Sequence, residues 1–370
     1  MSLFNNFFAL SASSLLILFA CSKGSDTTTT TTPTPVVSGG TNPEPIVVTS
    51  CATSAGISKL ICLADAFKSK LDASQLSTVQ RTYDVAEAKK WSNLPQNLVQ
   101  SANKRIGIAF SSLTSTQIQY AKALIKEAAG TASNEGWEEI QHIINADEYL
   151  LANGGGATYG AGNYYIALLG TPSLTGTWEL QFGGHHLAFA NTYKNGVLVG
   201  ATPAFRSSEP FASFAWNSVN NQPLVQEKDA LAAMLNGLSA TELATAKLSS
   251  TFSDLVVGPQ KDGQFPTTPS GIKVGNLSAT QKALVIAAIK TYTGDIADTD
   301  ANSILAKYTN ELDNTYISYS GNTSLTTQND YVRIDGPSVW IEYSCQRGIV
   351  LSPTHPHSVW RDKTSDYGGN

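Results

Sequence analysis

The chain has 370 residues, of which 42% are hydrophobic and only 14% charged, and its formal net charge is −5. That length and apolar content suffice for one large domain, or two intimate ones, around a substantial core. The acidic balance and the lack of any run of Lys or Arg exclude the electrostatic footprint of a nucleic-acid-binding protein.

Residues 7–20 are apolar or small and run directly into Cys21. A run that short does not span a bilayer as a mature helix, and it reads as a signal peptide over residues 1–20. Leu18-Phe19-Ala20-Cys21 resembles a bacterial lipobox, which makes Cys21 the expected lipidation site and the membrane a partner through the lipid anchor. By resemblance to other lipoproteins, Ser22 directly after the cysteine favours the outer membrane of the cell envelope as the destination of the exported protein. Residues 21–48 carry six consecutive threonines and a Pro-rich stretch with almost nothing to bury, so they read as a solvated tether. The globular domain is then 49–370. In an oxidising compartment the short loop between Cys51 and Cys62 suits a disulfide, and Cys345, inside an apolar strand pattern, reads as a buried unreactive thiol.

Apolar residues recur at helical spacing over 58–90, and capping boxes are read at Ser77/Gln80, Thr114/Gln117, Ser239/Glu242 and Ser278/Gln281. Their similarity is assigned to convergence rather than to duplication. Further helices are expected over 135–152, 227–255, 281–292 and 302–312. From Tyr164 the period shortens to two, and residues 178–191 read as one long strand with Gly183 and Gly184 inside it. Asn195-Gly196 supplies the turn back into a strand over 197–205. Strands return around Tyr316, Tyr331 and Val339–Tyr343, which makes the fold α+β: a mostly antiparallel sheet flanked by blocks of helices.

Four of the five histidines fall into two clusters, His185-His186 and His355-Pro356-His357. His355 and His357 lie two apart, so on extended chain both imidazoles face one way, whereas neighbours such as His185 and His186 point to opposite faces. Two parallel imidazoles plus one from an adjacent strand form a three-histidine face, with Glu342 as the candidate oxygen ligand and catalytic group. Such a set suits one divalent transition metal, Zn, Fe, Mn or Cu. His142 is assigned a surface or capping role.

Trp178 with Gly184-His185-His186-Leu187, Gly336-Pro337 leading into Ile341-Glu342-Tyr343, and His355 through Asp362 with Asp366-Tyr367-Gly368 together resemble the bacterial family called domain of unknown function 3500. Trp91-Ser92-Asn93-Leu94-Pro95 and Pro203-Ala204-Phe205 fit the same pattern. The resemblance extends from about Leu71 to the C-terminus and brings no settled activity with it.

Two functions compete. In a metal-dependent hydrolase or oxidoreductase, the histidines hold the metal, Glu342 assists, and Arg361 or Arg333 positions an anionic substrate. In a non-catalytic surface lipoprotein, Trp178, Trp340 and Trp360 are stacking platforms for a glycan, peptide or small acid, the histidines are hydrogen-bonding partners, and Arg333, Asp362 and Asp366 are further ligand-binding residues. A serine hydrolase ranks third, since no Gly-x-Ser-x-Gly occurs.

Overall fold

The computed structural model describes residues 42–99 and 104–369. The expected signal peptide, Cys21 and the tether as far as residue 41 lie outside the described residues. Residues 42–48, which composition assigns to the tether, lie against the domain: Ile46 N donates to Gln119 O at 3.3 Å, and Asn42 Nδ2 donates to Asn145 Oδ1 and Glu148 Oε2 at 3.2 Å each. Cys51 and Cys62 form a disulfide at the start of the first helix, and Cys345 is a free buried thiol that burial pushes up to about 12. Among the described residues no helix is long and apolar enough to cross a membrane.

The stretch read as one helical region over 58–90 is α1 (Gly56–Lys68), α2 (Ala73–Val79), the short strand β1 (Gln80–Arg81) and α3 (Val85–Ala88). Asp72 caps α2, not Ser77. Its carboxylate accepts from Gln75 N at 2.8 Å and the Gln75 side chain accepts from Asp72 N, while Ser77 sits inside the helix with its hydroxyl donating to Ser74 O. The other three capping boxes form at the residues expected, each contributing on the order of 1 kcal/mol to its helix.

There follow β2 (Ile108–Ala109), α4 (Ser115–Ala128), α5 (Gly136–Leu150), β3 (Tyr165–Leu169), β4 (Thr177–Gly184), β5 (Leu187–Lys194), β6 (Val197–Gly200) and β7 (Ala204–Ser207). A hairpin of β8 (Phe214–Trp216) and β9 (Val219–Asn221) leads into α6 (Val225–Asn236) and α7 (Ala240–Ala246), so the helix expected over 227–255 breaks at Gly237 and stops before Lys247. The chain ends with β10 (Ile272–Lys273), α8 (Ala279–Thr293), α9 (Asp298–Asn310), β11 (Tyr316–Ser320), β12 (Tyr331–Asp335), β13 (Val339–Gln346) and β14 (His355–Asp362).

Apart from the separate β8·β9 hairpin, the strands join in one sheet of order β1-β3-β4-β5-β7-β14-β13-β12-β11-β10, with β2 pairing β3 and β6 pairing β5 beside this path, antiparallel except for the β1·β3 pair. This is the α+β architecture. The order is symmetric about the β7·β14 pair, and the elements on each side recur in the same sequence. β10, α8, β11, β12, β13 and β14 repeat β2, α4, β3, β4, β5 and β7, and α6 and α7 repeat α1 and α2.

Side-chain contacts repeat as well. Gln117 Nε2 donates to Gln75 Oε1 and Lys70 O at 2.7 and 2.8 Å; Gln281 Nε2 donates to Glu242 Oε2 and Gly237 O at 2.7 and 3.1 Å. The residues after α4 and α8 pair with each other, Ala129 with Ile296. The four capping boxes therefore stand at equivalent positions in two halves that share one order of elements, which favours duplication over the convergence expected from sequence.

One face of the sheet carries the longer helices and the main core; loops and the short α3 cover the other, over a smaller apolar cluster that includes Ala88, Trp91, Phe205, Val359 and Tyr367. Alternation along β14 follows this division. Ser358 and Trp360 meet Tyr292 of α8 and Tyr308 of α9, whereas His357 and Arg361 meet Asp254 and Asp262 in the covering loop.

Glu179 of β4 is fully buried, with Thr192 Oγ1 donating to it at 2.9 Å and Gln181 Nε2 at 3.4 Å. Burial outweighs those two donors and raises its carboxyl to about 7. The folded state then binds the proton more tightly than the unfolded state, whose carboxyl is ordinary. Its contribution is fully present below the unfolded value and is lost as pH rises toward and through 7. A shift of that size corresponds to about 3 kcal/mol. Glu179→Gln is expected to raise the melting temperature at pH 8 and to change it little at pH 4; equal effects at both pH values would reject this account.

Candidate metal centre

Residues 178–191 form two strands, not one. β4 ends at Gly184, β5 begins at Leu187, and His185-His186 is the turn between them. The glycines answer a close approach: a Cβ on Gly184 would lie 2.7 Å from the Tyr164 ring, whose hydroxyl donates to His185 O at 2.8 Å. His186 takes a left-handed backbone, φ 62°, uncommon for a residue with a side chain. Its amide donates to Asn93 O at 3.1 Å, and its carbonyl accepts from Ser207 N at 2.9 Å.

The turn removes the constraint that neighbouring side chains diverge. The rings of His185 and His186 stack, with centroids 3.6 Å apart. His355 and His357 share one face of β14, as their spacing predicts, and the β7·β14 pairing places them beside the turn. Centroids of His186, His355 and His357 are 5.1–5.4 Å apart, and each offers a ring nitrogen within 4.8 Å of the others'. The group unites one histidine from the first repeat with two from the second.

Burial, then His185, His355 and His357, lowers the His186 pKa well below its ordinary value; burial, then His357 and His185, lowers that of His355 to about 2. Both imidazoles are neutral at physiological pH, the form that binds metals. His355 Nδ1 is buried with no hydrogen-bond partner. His357 Nδ1 lies 3.0 Å from Asp254 Oδ1, which leaves Nε2 as its free donor. Against partial desolvation by its neighbours, the hydrogen bond and charge of His357 hold the Asp254 carboxyl below its usual value. The His357 side chain is 13% exposed and that of Asp254 53%, so this side faces solvent.

His185 does not join the three. Its Nδ1 lies 2.6 Å from Asp147 Oδ1, whose other oxygen accepts from Gly160 N at 2.8 Å, and Tyr159 meets its ring edge-on. His185 is thus a fixed platform beneath His186. Glu209 holds the approach to β14: its Oε1 accepts from Ile349, Val350 and Leu351 N at 2.7–3.0 Å. Asp147, Asp254 and Glu209 lie far from the histidines in sequence, and no local pattern marks them. His142, expected in a surface or capping role, is buried with Nδ1 2.8 Å from Asn134 Oδ1.

Glu342 is not a member of the cluster. Val256 N, Val257 N, Tyr331 OH and Trp340 Nε1 all donate to its carboxylate at 2.6–2.8 Å, so its oxygens are already taken. Burial raises its pKa against those donors. Arg361 is equally committed: fully buried, it pairs with Asp262 and Asp366, the latter at 2.8 Å, and clasps the covering loop to the C-terminus. Asp366 also accepts from Asp362 N at 3.0 Å. Asp362 turns to the helix face, where Lys307 Nζ and Tyr308 OH donate to it at 2.9 and 2.8 Å.

Arg333 is buried over the Trp340 ring, 5.0 Å from its centroid. Trp178, Trp340 and Trp360 are all interior; Trp178 stacks on Tyr193 with centroids 4.4 Å apart. None offers a face to a soluble ligand. A groove of about 710 Å³ opens on the helix side between Trp137, Tyr193, Leu198 and Asp298, and no histidine lines it.

No curated protein and no solved structure matches the chain. A family model does, over residues 53–369. The chain therefore belongs to the family described as Protein of unknown function (DUF3500).

Proposed function

We propose that the protein is a metal-dependent enzyme whose single transition-metal ion is held by His186, His355 and His357. The observation that carries the reading is the buried, unpartnered His355 Nδ1 inside a group of three imidazoles. An orphaned buried nitrogen costs about 1–3 kcal/mol unless something meets it. Three nitrogen donors favour Zn or Cu over Mn and Mg. With three protein ligands among the described residues rather than four, the set resembles catalytic sites, which keep a position for substrate, more than closed structural ones.

The bound ion supplies Lewis-acid or redox chemistry according to its identity. The chain's own residues orient the donors: Asp254 fixes the His357 ring, and the Asp147–His185 pair supports His186 from behind. A small polar substrate approaches past His357 and Asp254. The stacking-platform alternative lacks support, because the tryptophans it needs are buried. Elemental analysis of the domain, purified without a histidine tag, is expected to find about one equivalent of Zn or Cu. The reading fails if no transition metal is present and none binds on addition.

Export and anchoring through Cys21 belong to the same proposal, and they rest on the signal and lipobox-like residues. Full-length protein expressed in a Gram-negative host is expected in the membrane fraction, and Cys21→Ser in the soluble fraction. Equal partition of the two would reject the anchor.

A further inference from the structure

Where the helices meet the sheet, four carboxylates gather around one arginine. Glu135 stands just before α5, Glu139 on α5, Glu227 on α6, Asp295 between α8 and α9, and Arg206 rises from β7. Asp295 Oδ1 accepts from Gly136 N at 3.0 Å, and its Oδ2 lies 2.5 Å from Arg206 Nε. Glu139 Oε1 accepts from Leu224 N at 2.9 Å, and its Oε2 lies 2.7 Å from the same Nε.

Glu227 has no such partners. It is 1% exposed, and neither of its carboxylate oxygens has a hydrogen-bond partner; Glu135 Oε2 is also buried and unpartnered. One oxygen each from Glu135, Glu227 and Asp295 lie within 4.8 Å of one another. Two oxygens on opposite sides of a calcium ion, bound at about 2.3–2.6 Å each, stand roughly 5 Å apart. The separations suit calcium, and the donors are all hard oxygens.

We propose that Glu135, Glu227 and Asp295 form a buried calcium site that ties the first repeat, through Glu135, to the second, through Glu227 and Asp295. Four carboxylates against one guanidinium leave an excess of negative charge that is costly without water, and a divalent cation offsets most of it. Protons are the other remedy. Burial, then Asp295, raises Glu135 to about 10 and Glu139 to about 8, so a cation-free cluster holds protons instead. The site is separate from the histidine centre in both donors and position.

The test is a calcium titration at pH 8 of the whole domain, first stripped with chelator, by calorimetry and thermal melting. About one equivalent is expected to bind and to raise the melting temperature by several degrees. Glu227→Gln is expected to weaken binding at least tenfold, whereas His355→Ala/His357→Ala binds calcium as the wild type does. Should Glu227→Gln not fold, Glu135→Gln, nearer the surface, is read in the same titration. A wild-type domain that binds neither calcium nor manganese, or a folded carboxamide variant that binds calcium unchanged, overturns the proposal. Loss of calcium binding in the histidine variant also overturns it, by placing the ion elsewhere.

Discussion

His355→Ala/His357→Ala is expected to fold and to retain no stoichiometric transition metal, where the wild type keeps about one equivalent. Removing two of three donors leaves His186 alone, and one imidazole does not hold an ion through purification. With metal at a hundredfold excess over its dissociation constant, the wild type gains about 2.7 kcal/mol of stability, and the double variant gains none.

The comparison without metal separates a ligand role from a packing role. In the apo protein His355 Nδ1 is an unsatisfied buried atom, so truncating it offsets part of the cavity cost. The apo variant is expected to melt close to the apo wild type. Asp254→Ala, which frees the His357 ring without removing a donor, is expected to weaken metal binding by about 10–100-fold. If both proteins lack metal and neither responds to added Zn or Cu, the three histidines are a packing cluster and the metalloenzyme reading is wrong.

Arg361→Ala is expected to destabilise the domain by about 3–5 kcal/mol, the cost of stranding the partners of a buried ion pair. The guanidinium is fully buried between Asp262 and Asp366, and its Nη1 reaches Val257 O and Gly258 O at 3.5 and 3.4 Å. Among the described residues neither carboxylate forms an ion pair with a second cation. The same loop is held by Glu342 through Val256 and Val257 N, and it carries Asp254 to His357. Loosening it is therefore expected to weaken metal binding as well.

Arg361→Lys should restore only part of the loss, because an ammonium cannot bridge two carboxylates with the fixed geometry of the guanidinium fork. Chemical denaturation at neutral pH measures both variants. A loss under about 1 kcal/mol for Arg361→Ala would show that the clasp holds little.

Local patterns in the sequence determined a good deal. Capping boxes at Thr114, Ser239 and Ser278 placed three helix starts because their hydrogen bonds span only three residues. Asn195-Gly196 placed a turn because both residues take positive φ, 51° and 80°. The i, i+2 spacing put His355 and His357 on one face of β14, and the short Cys51–Cys62 loop closed as a disulfide. In each case the interaction partners are near in sequence, so periodicity and residue type carry the information.

Tertiary structure alone decided which groups meet across the chain. His186 reaches His355 because β7 and β14 pair at the centre of two repeated units, a register set by the packing of both halves. Contacts between elements distant in sequence likewise brought Glu139 and Asp295 to Arg206. Glu342 was withdrawn from the histidines by backbone amides of a loop some 85 residues away in sequence, and Trp178, Trp340 and Trp360 became core because both faces of the sheet are covered. Nothing in a local pattern records which distant donor satisfies a buried acceptor: that depends on desolvation, which only the assembled layers impose.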